Sequence, residues 1–140
     1  MDCDGSLDPG DLVAMCAAHD DGADLVIGSR QPEPGAWPVH ARIANRVLAF
    51  ELRRRTGLGL RDIGPMRAMS REELIGLGMN DRRSGWPLEM VIKADAAGWT
   101  IAELPVTYYR RSGRSKVTGT ARGTIQAIRD MSSHLRAMND

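Results

Sequence analysis

The sequence predicts an α/β domain with a largely parallel sheet flanked by helices, and three observations predict it. Short apolar runs suited to buried strands alternate with longer segments of helical period, and Gly and Pro punctuate the boundaries between them. With 42% hydrophobic residues among 140, the chain holds enough apolar side chain for one core. No internal repeat or linker divides it, so residues 1–140 read as a single domain.

Each element follows from local chemistry. Asp8 suits a helix cap with Pro9 at the first helical position, and Leu12, Val13, Met15 and Cys16 give an apolar side up to about Ala18. A strand over 24–28 ends at Ser29 and Arg30. Three prolines and a glycine make 31–38 a loop. A long helix starts at about Val39, with Ile43, Val47, Phe50 and Arg54 in line and Gly57 as its stop. Residues 63–69 read as a strand broken by Gly64 and Pro65. Ser70 followed three residues later by Glu73 is a capping box for a brief helix. A helix over 87–97 is stopped by Gly98, and 99–109 is a strand interrupted by Pro105. The last helix carries Ile125, Ile128, Met131, Leu135 and Met138 at spacings of three or four, a stripe for core or subunit contact.

Charge is more informative in its distribution than in its sum. A net charge of +1 gives no electrostatic case for nucleic acid. Asp residues at 2, 4, 8, 11, 20, 21 and 24 crowd the start, whereas no Lys or Arg precedes Arg30 and a basic stretch runs over 110–116. Such a split suits a site where a metal and cationic side chains share an anionic ligand. Cys3 and Cys16 make neither a disulfide framework nor a zinc spacing, so a cytoplasmic setting is expected. No apolar run approaches the ~20 residues of a membrane span, and no signal-peptide pattern is present; membrane contact is expected to be peripheral.

The opening Asp2-Cys3-Asp4-Gly5-Ser6 carries the chemistry. In an extended segment side chains two apart point the same way, so Asp2 and Asp4 can reach one cation together. Hard oxygen ligands suit Mg or Mn, which take further oxygens from phosphates. The bland reading of the same residues is a solvated acidic turn.

The order of motifs resembles the family 2 glycosyltransferases, in the dolichyl-phosphate mannosyltransferase and polyprenyl-phosphate glycosyltransferase branch. The likeness rests on seven blocks across nearly the whole chain: Asp-x-Asp-Gly-Ser, the run 23–30 ending Gly28-Ser29-Arg30, Arg42-Ile43-Ala44-Asn45, and Asp62-Ile63-Gly64-Pro65-Met66-Arg67. Then come Gly85-Trp86-Pro87-Leu88-Glu89-Met90 with Lys93-Ala94, Glu103-Leu104-Pro105-Val106, and Arg111-Ser112-Gly113-Arg114-Ser115-Lys116. The resemblance implies a GT-A, Rossmann-like fold and inverting transfer of a sugar from a nucleotide-diphosphate sugar to a polyprenyl phosphate or other acceptor. It implies Mg or Mn at Asp2 and Asp4, phosphate contacts from Arg30, Arg42 and Arg67, and closure of Arg111, Ser115 and Lys116 over the diphosphate. Asp62 or Glu89 is then the base or orienting carboxylate, and Trp86 lines the sugar site. A protein of this kind works at the inner face of a membrane.

In the family the Asp-x-Asp follows an N-terminal nucleotide-binding half, yet here Asp2 is the second residue. The chain therefore corresponds to the metal and acceptor side of the domain. It is expected to be catalytically silent alone, needing the missing half or associating with itself. Two other readings stay open. One is a haloacid-dehalogenase-like phosphatase with Asp2 as nucleophile, against which stand the lack of a downstream Gly-Asp-x-x-x-Asp run and only two lysines, Lys93 and Lys116. The other is a non-catalytic domain that pairs with a partner chain.

Overall fold

The structure, a computed structural model, describes residues 3–82 and 85–112. Asp2, Ser115, Lys116 and the expected helix after residue 120 lie outside the described residues. Along the described chain run α1 (Asp11–Asp20), β1 (Leu25–Pro32), α2 (Val39–Thr56), β2 (Arg67–Ala68), α3 (Arg71–Gly76), α4 (Trp86–Ala96) and β3 (Ile101–Tyr108).

The sheet has the order β2-β1-β3. β1 and β3 run parallel from Leu25↔Ile101 to Pro32↔Tyr108, joined by a crossover that includes α2 and α4. The expected largely parallel sheet is corrected in one respect: β2 lies antiparallel to β1, through Val26↔Ala68 and Ile27↔Arg67, so the sheet is mixed. The cause is local. Gly64 and Pro65 turn the chain back on β1, and only two residues have room to pair before Ser70 begins the next helix.

Residues 25–29 of β1 are all buried, as a central strand covered on both faces should be. Leu25 and Ile27 pack with Leu48 and Leu52 of α2 and with Leu88, Val91 and Ala94 of α4. Val26 packs on the opposite side with Met15 of α1, Leu7, Met66, Val106 and Tyr108. Helices thus cover the sheet on two sides. Burying a Leu or Ile side chain contributes roughly 1.5–3 kcal/mol, so these two clusters dominate the stability of the unit.

Several boundaries match their sequence signals. Gly57 ends α2 at φ 80°, a left-handed position that favours glycine, and its N–H donates to the carbonyl of Arg53. Ser70 and Glu73 form the reciprocal box: Glu73 N donates to Ser70 Oγ at 3.1 Å and Ser70 N to Glu73 Oε2 at 2.6 Å. Others differ. Asp8 Oδ1 accepts from Gly10 N at 2.8 Å, but this caps a tight turn before α1, which starts at Asp11. β1 runs on to Pro32, and β3 passes through Pro105 without a break because it is the edge strand among those described, where a missing N–H costs no ladder bond. In α1 only Met15 is buried, whereas Val13 and Cys16 face outward. The apolar line of α2 is also outward; its buried side is Ala41, Leu48, Ala49 and Leu52.

Candidate functional site

The site is built where β1 leaves the core. Arg30, near the carboxyl end of this strand, meets the carboxylate of Asp62 in a fork: Nε donates to Oδ2 at 2.7 Å and Nη2 to Oδ1 at 2.6 Å, while the Arg30 backbone N–H donates to Oδ2 at 2.9 Å. Asp62 is 3% exposed. The guanidinium carbon lies 3.9 Å from the ring centre of Trp37 and 5.6 Å from that of Tyr108, whose rings are tilted against each other. Planar Arg suits both contacts at once, with its edge on a carboxylate and its face on an aromatic ring.

The Asp62 segment is held from three directions. Glu103 Oε1, on β3, accepts from the N–H groups of Arg61 at 2.8 Å and Asp62 at 3.0 Å. Asn45, on the inner side of α2, accepts from Ile63 N at 3.2 Å and donates to the Arg61 carbonyl at 3.3 Å; Arg30 Nη2 lies 3.5 Å from the same Asn45 oxygen. Gly64 lets the segment come down onto β1. A Cβ at Gly64 would stand 2.1 Å from the Gly28 carbonyl oxygen, which no side chain tolerates.

Arg67 approaches from β2. Its Nε donates to the Gly64 carbonyl at 3.0 Å and its guanidinium lies 5.4 Å from the Trp86 ring centre, while buried Nη1 and Nη2 have no hydrogen-bond partner among the described residues. Burial pushes this guanidinium down to about 9, against the pull of Asp62 and with the repulsion of Arg30, so it stays charged at neutral pH. A buried charge with two unanswered donors is costly in a purely structural role, and an anion would answer it.

A second cluster joins the opening acidic turn to the start of the basic stretch. Asp4 Oδ2 pairs with Arg111 Nη2 at 3.0 Å, and its Oδ1 accepts from both the hydroxyl and the backbone N–H of Ser6. Backbone bonds from Ser112 N to the Asp4 carbonyl and from Tyr109 N to the Ser6 carbonyl, both 2.9 Å, lay the two segments side by side. Partial burial raises the Asp4 pKa, but the Ser6 bonds and the Arg111 charge outweigh it and the net shift is downward. As a partly exposed carboxylate on a tight turn, Asp4 is a donor of the kind a hard divalent ion takes. Among the described residues no group of three His, Cys, Asp or Glu side chains gathers to hold a metal.

The other expected site residues stand apart. Arg42 is exposed on α2, one turn before Asn45. Glu89 is 4% exposed on α4 and accepts from Asn80 N at 2.9 Å and Asp81 N at 2.7 Å, with Lys93 Nζ at 3.0 Å. Burial raises its pKa, and these donors overcome that and hold it below the usual carboxylate range. Its visible work is to fix the turn before α4. Trp37, Tyr108, Asn45 and Glu103 were not among the expected site residues. A polar Asn45 on the inner side of an amphipathic helix and a carboxylate within an apolar strand were the available signals.

The comparisons with known proteins point to glycosyltransferases. The chain is 51% identical over 132 residues to uncharacterized glycosyltransferases of Mycobacterium tuberculosis and Mycobacterium bovis, an overlap covering 93% of this chain and 61% of theirs. It is 34% identical over 128 residues to the polyprenol monophosphomannose synthase of Mycolicibacterium smegmatis, covering 86% of this chain and 48% of that protein. These relatives support a family 2, dolichyl-phosphate mannosyltransferase-like glycosyltransferase family for the chain. It spans about three-fifths of the length of the mycobacterial glycosyltransferases and about half that of the synthase. No family model matches this glycosyltransferase chain. No solved structure matches it either. The phosphatase alternative finds no support in the relatives.

Proposed function

We propose that this chain is the acceptor-side portion of a glycosyltransferase that moves a sugar from a nucleotide-diphosphate sugar onto a polyprenyl phosphate, with inversion at the anomeric carbon. The observation that carries the reading is the 34% identity to a polyprenol monophosphomannose synthase across 86% of the chain. The site supports it in kind. An acceptor phosphate, with a second pKa near ~6, is already largely anionic at neutral pH and needs no base. Neither candidate carboxylate is free to be one: Asp62 accepts three N–H bonds from Arg30, and Glu89 is buried under two backbone N–H groups and Lys93. An acceptor hydroxyl would require a base, a role for which neither Asp62 nor Glu89 is placed.

In this reading an oxygen of the lipid phosphate attacks the anomeric carbon, the bond from that carbon to the nucleotide diphosphate breaks, and the diphosphate departs. Arg30, oriented by Asp62 and Trp37, presents cationic charge to the acceptor phosphate, with Arg67 and Arg42 as further contacts. Asp62 orients and does not take up a proton. Arg111 would contact the diphosphate, the ligand to which the resemblance also assigns Ser115 and Lys116. Asp2 and Asp4 would hold Mg or Mn, which supplies charge neutralisation at the departing diphosphate when bound. For a metal to use both Asp4 oxygens, Arg111 must leave the carboxylate. Trp86 stands over Arg67 beside the sugar. A lipid acceptor places the work at the inner face of the membrane.

The test joins the chain to the preceding portion of its mycobacterial relatives and follows labelled sugar from nucleotide diphosphate mannose into polyprenyl phosphate. Label in the lipid fraction that depends on divalent metal and is lost in Asp2→Ala/Asp4→Ala supports the reading. Label retained in that double variant contradicts the metal assignment. Robust transfer by the 140-residue chain alone contradicts its place as one portion of the enzyme.

A further inference from the structure

Glu103 is the one charged residue of β3. Side chains alternate along a strand, and here Ala102, Leu104, Val106 and Tyr108 pack on the α1 side of the sheet, whereas Ile101 packs with the cluster of α2 and α4. Glu103 therefore shares the face of Ile101 and of its partner in register, Ile27. It is a half-buried carboxylate on an apolar face, and its Oε1 is engaged by backbone: Arg61 N donates to it at 2.8 Å and Asp62 N at 3.0 Å, across 41 residues of sequence in the second case. Two N–H groups converging on one oxygen fix the peptide planes on either side of Arg61. They thereby fix the direction in which the Asp62 side chain leaves the chain.

We infer that Glu103 is a positioning residue of the acceptor site: by holding the Arg61 and Asp62 N–H groups it aims the Asp62 carboxylate at Arg30, and so sets the plane in which the guanidinium meets the acceptor phosphate. The inference rests on the transferase reading of that site. Asp62 is buried and its two oxygens accept three N–H groups of Arg30, so a change in the direction of its side chain is passed to the guanidinium. The same strand meets the pair again from the other face, where the Tyr108 ring centre lies 5.6 Å from the Arg30 guanidinium carbon. β3 thus grips the pair from both faces of the sheet, directly through Tyr108 and through the Asp62 backbone by way of Glu103.

The other holds on the segment do not replace this one. Asn45 bonds the Arg61 carbonyl and the Ile63 N–H, and Gly64 packs on Gly28, so Glu103 is what answers the two N–H groups immediately before the carboxylate. The role requires an acceptor oxygen at a fixed reach from β3 and does not require a negative charge. Glutamine supplies that oxygen at the same reach, aspartate keeps the charge but is one carbon shorter, and alanine supplies neither. Reach and charge are therefore separable by substitution.

The experiment has two readouts. In the 140-residue chain without ligand, NMR follows solvent exchange of the Arg30 Nε–H, assigned by its loss in Arg30→Lys. Glu103→Asp and Glu103→Ala should exchange it at least about ten-fold faster than the parent, and Glu103→Gln should exchange it as the parent does, with the amides of Leu25, Val26 and Ile27 unchanged in all three. In the chain joined to its relatives' preceding portion, the KM for polyprenyl phosphate should rise about ten-fold in Glu103→Asp and Glu103→Ala and stay within about two-fold of the parent in Glu103→Gln, with the KM for the nucleotide sugar unchanged. If Glu103→Ala does not fold, the aspartate and glutamine variants carry the test. Equal Arg30 exchange in parent and Glu103→Asp overturns the inference. So does faster exchange of the Leu25, Val26 and Ile27 amides to the same degree, which reduces Glu103 to a general support of the sheet. Absence of transfer by the parent joined chain overturns the transferase reading, whereas transfer by the parent with an unchanged acceptor KM in Glu103→Asp overturns the present inference alone.

Discussion

Arg30 and Asp62 stand 32 residues apart in sequence and share two side-chain hydrogen bonds in the fold. With side chains only 15% and 4% exposed, the pair is sensitive to loss of one partner, because the other charge is left desolvated. Asp62→Ala should destabilise the fold by roughly 3 kcal/mol in urea unfolding, and a double-mutant cycle with Arg30→Ala should show strong coupling. Additive losses would mean that the two side chains act independently. Gly64→Ala is a steric change. The added carbon meets the Gly28 carbonyl oxygen, so the Asp62 segment must lift from β1, at a cost of about 2 kcal/mol or more. Both residues were legible in the sequence as members of a motif, and their pairing was not. Charge type is local, whereas the partner of a charge depends on a crossover that brings distant segments together. Trp37 was hidden for a simpler reason: a loop with three prolines gives no periodicity from which to infer that its tryptophan turns inward onto Arg30.

At the scale of elements, Glu89 ties α4 to the turn before it. Its folded pKa lies below the ordinary 4.5, so its contribution is present above the unfolded value and is lost as pH falls through the folded one. Thermal unfolding should therefore show wild-type stability declining below about pH 4.5. Glu89→Gln, less stable at pH 7, should be flatter over that acidic range. Equal slopes would show that Glu89 gains nothing from Asn80, Asp81 and Lys93. The capping box is a smaller matter, with Ser70→Ala expected to cost ~1 kcal/mol. These ends were legible because caps are written in three or four adjacent residues. The inner side of α2 was not. The helix carries two apolar sets, and the line read from the sequence at 43, 47 and 50 is the exposed one, whereas the core takes 41, 48, 49 and 52. Pro105 misled in the same way, since its tolerance depends on β3 lying at an edge.

For the whole molecule, the arrangement is a central buried strand, β1, that emerges from two apolar clusters and delivers Arg30 to a surface framed by α2, β2 and β3. The α/β class followed from alternation alone, while the antiparallel β2 depended on a turn whose direction the sequence does not state. The glycosyltransferase relatives, longer than this chain, support the functional reading of that surface. We propose that the Arg30 and Asp62 pair positions a lipid phosphate for glycosyl transfer. The most direct measurement is the rate of labelled mannose transfer to polyprenyl phosphate by the chain joined to its relatives' preceding portion, comparing the parent with Arg30→Lys. Lysine keeps the charge and loses the fork and the ring stacking, so transfer should fall by at least about 100-fold, with metal dependence unchanged and the fold retained by circular dichroism. Transfer at the parent rate in Arg30→Lys would contradict it.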